Sequence, residues 1–373
     1  MREEASERPH HTIDPLLCVR IFAVFLMAVM LLQVRAGAWF AAGNGGDAAS
    51  KADASERRVV VPSGRAVGIK LFSDGVLVVG LEEVGGAEEK SSPAKACGLR
   101  VGDVITHVDG DEVNTIEEVR EHVEESGGGE FTIRAVRGGK PLQFTAEGTE
   151  DATGSYKLGA WLRDSMAGIG TVTFYDPESG LFAALGHGIN DIDTAMLMPL
   201  EEGGIMYAAV SDVKRGESGA PGELHGAFQV NRDMGELYAN TPSGVFGIAE
   251  DGCKELKTIG RPMEVATRQE VQVGKATILS NIAGEKTEEY EVEITRVYPA
   301  SPGETRNLMV KVTDQRLLDA TGGIVQGMSG SPILQNGRLV GAVTHVLVDD
   351  PTTGYGILAE NMLSEAETAR QAS

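Results

Sequence analysis

Gly322-Gly323-Ile324-Val325-Gln326-Gly327-Met328-Ser329-Gly330-Ser331-Pro332-Ile333-Leu334 is a Gly-x-Ser-Gly-x-Pro turn with an apolar run on each side. A hydroxyl that attacks a carbonyl must be exposed by a tight turn, beside backbone N–H groups free to hold an oxyanion. Glycines next to a serine supply both conditions. The same composition also makes ordinary hairpin loops, so the surroundings have to decide. A second copy, Gly216-Glu217-Ser218-Gly219-Ala220-Pro221, has Lys214, Arg215 and Glu223 for neighbours instead of strands, and a polar loop gives a nucleophile little support. Ser329, between Gly323-Ile324-Val325 and Ile333-Leu334, is the better candidate.

Outward from this turn the chain reads as short period-two runs separated by Gly, Pro and Asp turns. Examples are Ile169 to Tyr175, Leu181 to Ile189, Glu291 to Val297 and Leu308 to Val312. The pattern predicts an all-β barrel or sandwich over residues 151–373, with only the tail from Ala359 to Ala372 helical. The 48 glycines and 5% aromatic residues agree with many turns and short strands. In this region His187, His225 and His345 are the candidate general bases. His187 ends an apolar run between two glycines, where a turn would hold an imidazole at a strand mouth. His225 has a similar glycine setting, and His345 sits mid-strand in Val343-Thr344-His345-Val346.

Residues 59–150 form a second unit. Short strands lead to Ser92-Pro93-Ala94-Lys95-Ala96-Cys97-Gly98-Leu99-Arg100-Val101-Gly102-Asp103-Val104-Ile105, followed by a segment with Ile116, Val119 and Val123 at helical spacing behind a capping Thr115. The unit resembles a PDZ domain, an α+β module that captures extended peptides by strand addition. The resemblance implies that Val67-Gly68-Ile69-Lys70-Leu71 and the Ile116, Val119 and Val123 face flank a peptide groove.

The first forty residues are expected to be an export signal or membrane anchor. Arg2, Arg8 and Arg20 precede an unbroken apolar run from Ile21 to Leu32, followed by Ala36-Gly37-Ala38. That run is shorter than the about twenty residues of a bilayer span and matches a signal-peptide core. Residues 41–58 are small and polar and read as a flexible linker. The net charge of −22 argues against nucleic acid or an anionic membrane surface as partner. Cys18, Cys97 and Cys253 form no Cys-x-x-Cys pair, so neither a disulfide framework nor a zinc site is expected. No His-Glu-x-x-His helix is present, and no metal or other cofactor is implied.

The PDZ-like unit, Ala184-Leu185-Gly186-His187, and Gly322 to Pro332 followed by Gly341 to Val346 together resemble the SpoIVB peptidase family of endospore-forming bacteria. The resemblance implies a chymotrypsin-like double β-barrel, with Ser329 as nucleophile, His187 as general base and Asp314 as the acid. The Gly327 and Ser329 N–H groups would be the oxyanion hole. Asp191, Asp193, Asp212 and Asp233 remain alternatives for the acid. It further implies export across the forespore inner membrane into the intermembrane space, with membrane contact through the N-terminal segment before release by self-cleavage. The enzyme would then cut a membrane-bound regulator, freeing an intramembrane protease that activates a mother-cell sigma factor. The PDZ-like unit would bind peptide C-termini or the chain itself. The competing expectation is a non-catalytic peptide-binding adaptor with an inactive β domain.

Overall fold

A computed structural model describes residues 57–372, apart from 86–89, 252, 254–255, 257–259 and 300–302. The expected export segment, and the linker up to residue 56, lie outside the described residues. Arg57 and Arg58, at the end of that linker, are tied down: Arg57 pairs with Glu264 at 2.9 Å and Arg58 with the buried Asp176 at 2.9 Å.

The first strand, β1 (Val59–Leu81), is 23 residues long and serves two modules. Its C-terminal part enters an α+β unit made of α1 (Pro93–Cys97), β2 (Val104–Val108), α2 (Ile116–Glu125), β3 (Glu130–Arg137) and β4 (Lys140–Glu147). The chain then returns through β5 (Ala160–Tyr175), β6 (Leu181–Ala184), β7 (Glu202–Lys214), β8 (Glu223–Thr241) and β9 (Gly244–Ala249). These five strands pair in the order β5-β6-β9-β8-β7, and both β7 and β5 pair with β1, which closes a six-stranded barrel. A second closed barrel holds β10 (Gly274–Ser280), β11 (Glu288–Val297), β12 (Leu308–Val312), β13 (Pro332–Gln335), β14 (Arg338–Leu347) and β15 (Asp350–Leu358). Helix α3 (Gln315–Thr321) precedes β13, and α4 (Ala359–Ala372) closes the chain.

The double β-barrel and the PDZ unit are those the sequence predicts, but the border between them is not at residue 59. Val67 to Leu71 pair with Gly170 to Met166 of β5 on one side and with Tyr207 to Gly203 of β7 on the other. With both edges occupied, this stretch is barrel wall and cannot accept a peptide strand. The PDZ unit is therefore an insertion between two neighbouring barrel strands, entered after Phe72 and left through β5. Alternation of apolar residues is the same in either sheet, which is why sequence misassigned it. A helix in the β domain, α3, was also not expected.

Each barrel has its own apolar centre. Val67, Val172, Phe182, Ile205 and Val245 fill the first, and Ile278, Val292, Ile294, Val310 and Ile333 fill the second. Helix α4 seals both: Met362 and Ala366 meet Phe174 and Phe246 of the first barrel and Leu339 and Ala342 of the second. A small cluster of Leu71, Leu77, Val104 and Met198 joins the PDZ unit to the first barrel. Leu77 is 1% exposed. Leu77→Ala should lower stability by about 2–5 kcal/mol, and amide hydrogen exchange should speed up in both modules together, because the lost contacts belong to both.

Candidate active site

Strand β6 ends in a sharp turn at Leu185 and Gly186, with φ of 68° and 69°. Left-handed backbone costs a leucine about 1–2 kcal/mol, and it is held here because Leu185 N–H donates to Thr171 O at 3.1 Å. The turn projects His187 from the barrel rim. Its Nδ1 lies 2.9 Å from Gly188 O. A carbonyl oxygen can only accept, so Nδ1 carries the proton and Nε2 is left with its lone pair. Burial pushes the His187 pKa below its usual 6.5, against the opposing pull of the Gly188 carbonyl, so the ring is neutral at pH 7. The segment after it is pinned by Asn240, whose carboxamide accepts from Ile189 N–H at 2.8 Å and donates to Ile189 O and Met198 O at 2.9 Å.

The serine loop is bolted to both barrels. Thr171 N–H donates to Ser329 O at 3.0 Å, and Thr171 Oγ1 donates to Gly327 O at 2.7 Å. Gly330 N–H donates to Val343 O at 2.8 Å. Gly330 has φ of 97°, and a Cβ there would lie 2.0 Å from Thr171 O, so only glycine allows this approach. The hairpin carrying the second Gly-x-Ser-Gly-x-Pro copy clamps the same loop from outside. Gln326 N–H donates to Gly222 O and Leu224 N–H to Gln326 O, both at 2.9 Å, while Ser218 Oγ donates to Asp349 O at 2.8 Å.

His187 and Ser329 line one cleft of about 410 Å³ between the barrels. Ser329 Oγ donates to Thr344 O at 2.7 Å, a resting rotamer from which a χ1 rotation redirects the hydroxyl. Among the described residues, the N–H groups of Gly327 and Ser329 have no protein acceptor, so both are free to hold an oxyanion. Among the described residues, no Asp, Glu, Lys or Arg lines the cleft. His345 also lines it, its ring centroid 4.8 Å from that of His187. Desolvation by neighbouring protein, then the nearby His187 and Arg306, push its pKa down to about 4, even though His345 is an exposed residue.

Asp314 is not in this cleft. It caps α3, accepting from Arg316 N–H at 2.9 Å, and pairs with the Arg316 guanidinium at 2.8 Å while accepting from Glu291 N–H at 3.2 Å. Hydrogen bonds from Arg316 hold its pKa below the usual carboxylate value. The carboxylate is thus committed to the helix end and to β11, which corrects its reading as the acid of a triad. Asp191 is bound to Arg163 at 2.5 Å and Asp193 to the same guanidinium at 2.6 Å. Asp212 and Asp233 are exposed on β7 and β8, and His225 is exposed beside Glu223 at 3.4 Å. None of these lines the cleft.

Ile116, Val119 and Val123 do line a groove, of about 470 Å³. Its other wall is Tyr156 to Ala160 and Leu162, at the start of β5, which takes the place that sequence assigned to Val67 to Leu71. Sequence gave no signal for the roles of Thr171, Asn240 and His345, since each depends on contacts between distant strands.

Thr171→Val keeps the backbone bonds and removes the hydroxyl that fixes the Gly327 peptide. Labelling of Ser329 by a fluorophosphonate should slow by about tenfold or more. Asp314→Ala should leave that rate within about twofold while lowering stability by about 1 kcal/mol through the lost cap.

Comparison with known proteins places these observations in a family. The PDZ domain of an SdrC-like protein from Listeria monocytogenes is 27% identical, covering 24% of this chain and 87% of its own, with a TM-score of 0.20. The HtrA-type protease AlgW with a decapeptide is 11% identical, over 60% of this chain and 56% of its own, at 0.33. This chain thus spans about half of the AlgW chain. The Rv3671c protease from M. tuberculosis, in its active form, is 14% identical over 56% of this chain and 74% of its own, at 0.31. No curated protein matches the chain. The PDZ domain family matches residues 87–137. The SpoIVB peptidase S55 family matches residues 154–363, more than half of the sequence, and the chain belongs to that family as a serine peptidase with an inserted PDZ domain.

Proposed function

We propose that this peptidase is an exported endopeptidase of sporulation signalling that works with a His187–Ser329 dyad. The observation that carries the reading is the meeting of a neutral His187, Ser329 and two unpaired amides in one cleft. In this reading the Ser329 hydroxyl leaves Thr344 O and gives its proton to His187 Nε2, across the cleft that both line. The oxygen then attacks the substrate carbonyl, and the Gly327 and Ser329 N–H groups take the developing negative charge. His187 returns the proton to the leaving amine, and water repeats the sequence to release the acyl group. The Gly188 carbonyl fixes the imidazole tautomer, a task that a carboxylate performs in the familiar triad. Its partial charge stabilises the imidazolium less than a full carboxylate would.

The substrates in this reading are the chain itself, near its N-terminus, and a membrane-bound regulator of an intramembrane protease. That cleavage leads to activation of a mother-cell sigma factor. Family membership supports the pathway, and the export-type N-terminus supports a site in the space between the forespore membranes. The groove between α2 and the start of β5 supports capture of peptide C-termini.

Ser329→Ala and His187→Ala should each lower kcat/KM on a cleaved peptide by at least about a thousandfold, and in sporulating cells Ser329→Ala should leave the chain uncleaved near its N-terminus and held in the membrane fraction. Retained cleavage by the Ser329→Ala protein would refute the dyad. Because the folded His187 pKa is depressed, kcat/KM should stay level from pH 8 to 7 and fall only below 6.5. A fall already complete at pH 7 would contradict the neutral resting base.

A further inference from the structure

β5 lines two cavities. Ala160 and Leu162, near its start, form one wall of the PDZ groove, and Met166 to Ile169 form part of the cleft that holds Ser329. The strand is continuous from Ala160 to Tyr175. One edge is paired with β1 along that length, from Leu81 opposite Ala160 to Val61 opposite Tyr175, with irregular stretches where the PDZ unit is inserted. The other edge meets β6 only from Val172 onward. From Ala160 to Ile169 no residue of the strand is buried, and among the described residues no second strand pairs with this part. A free strand edge therefore runs from one cavity to the other, a gap of roughly 13 Å between Leu162 and Met166 at strand rise.

We propose that this edge is a single docking track for the C-terminal tail of a substrate, and that it sets the distance from that C-terminus to the bond that is cut. The inference rests on Ser329 being the nucleophile. Two constraints give the direction. His187 must protonate the leaving amine, and it belongs to the first barrel, so the downstream part of the substrate lies on that barrel, where β5 is the open edge. At the other end, Gly159 turns the chain with φ of 73°, and Arg120 and Lys157, the latter 4.0 Å from Glu124, line the same groove, which offers cations to a terminal carboxylate. A tail whose carboxylate sits near Gly159 and whose upstream residues reach Ile169 runs antiparallel to β5. Antiparallel addition is how an extended peptide joins an open sheet edge.

Pairing one residue of tail with each residue from Ile169 to Ala160 gives a released peptide of about ten residues. The last side chain meets Ile116, Val119 and Val123, so it is apolar. Glu82, Glu83 and Asp151, also at the groove, disfavour acidic residues beside it. The bond to be cut is thus chosen by its distance from a free C-terminus as well as by the residues around it.

The test uses full-length Ser329→Ala protein, which binds without cutting, and a Thr/Val-rich peptide about twelve residues long that ends in valine. Amide hydrogen exchange should slow both at 160–163 and at 166–169 with this peptide, and only at 160–163 with its last four residues. Amidating the C-terminus should weaken binding by about tenfold or more. Protection of only one of the two segments by the long peptide, or of neither, would overturn the track. Wild-type enzyme and peptides extended upstream provide the second arm, with products sized by mass spectrometry. Released fragments should stay near ten residues as the upstream part is lengthened. Cleavage at a fixed sequence regardless of tail length would overturn the ruler and leave the peptidase standing. Protection of both segments without any cleavage by wild-type enzyme would instead sink the nucleophile assignment and leave the track.

Discussion

Thr171 is the residue on which the site depends. Its N–H and hydroxyl hold Ser329 O and Gly327 O, and its carbonyl takes the Leu185 N–H that fixes the turn before His187. One residue of the first barrel therefore sets the nucleophile loop of the second barrel and the base of its own. The bonds, of 2.7–3.1 Å, converge on Thr171, which is buried, where an unmade partner is costly. That cost is what keeps Leu185 in a left-handed conformation and Gly330 pressed against the strand. Pre-organisation of the cleft thus follows from the packing of β5 between two barrels, before any substrate arrives.

The same strand explains how the PDZ unit is carried. It is built into the first barrel between two paired strands, so the groove and the cleft share a wall. Arg163, just beyond the groove residues of β5, grips Asp191 and Asp193 in the segment that follows His187. Asp191 is buried and also accepts from Thr194 N–H and Oγ1, so that segment has little freedom to move independently of the strand. PDZ and peptidase are in contact through main chain and through a partly buried ion pair, which differs from two domains on a tether.

Much of this was legible in the sequence, and the failures have physical causes. Ser329 stood out because its glycine turn lies between apolar runs, unlike the polar setting of Ser218, and His187 because glycines flank it at the end of an apolar run. Helix α2 was readable from the Ile116, Val119 and Val123 spacing and from Thr115, which forms a full capping box with Glu118. The C-terminal helix lies where the sequence placed it, over Ala359–Ala372. Val67 to Leu71 were misplaced because a period-two strand carries no mark of which partner it will choose. Asp314 was misread because a carboxylate that caps a helix and one that orients a histidine look alike in one dimension. Its neighbour Arg316 was the available clue, since a guanidinium two residues away from a cap residue competes for the same oxygens. Thr171 gave no sign, because its role exists only when two barrels meet.

The central claim is a dyad held by backbone, without a carboxylate at its end. A crystal structure of the protein inactivated by a peptidyl phosphonate would test it most directly. The account predicts phosphorus bonded to Ser329 Oγ, its oxygen within hydrogen-bond distance of the Gly327 and Ser329 amides, and His187 Nδ1 still donating to Gly188 O. A carboxylate bonded to His187 Nδ1, above all that of Asp314, or modification of a different residue, would contradict it.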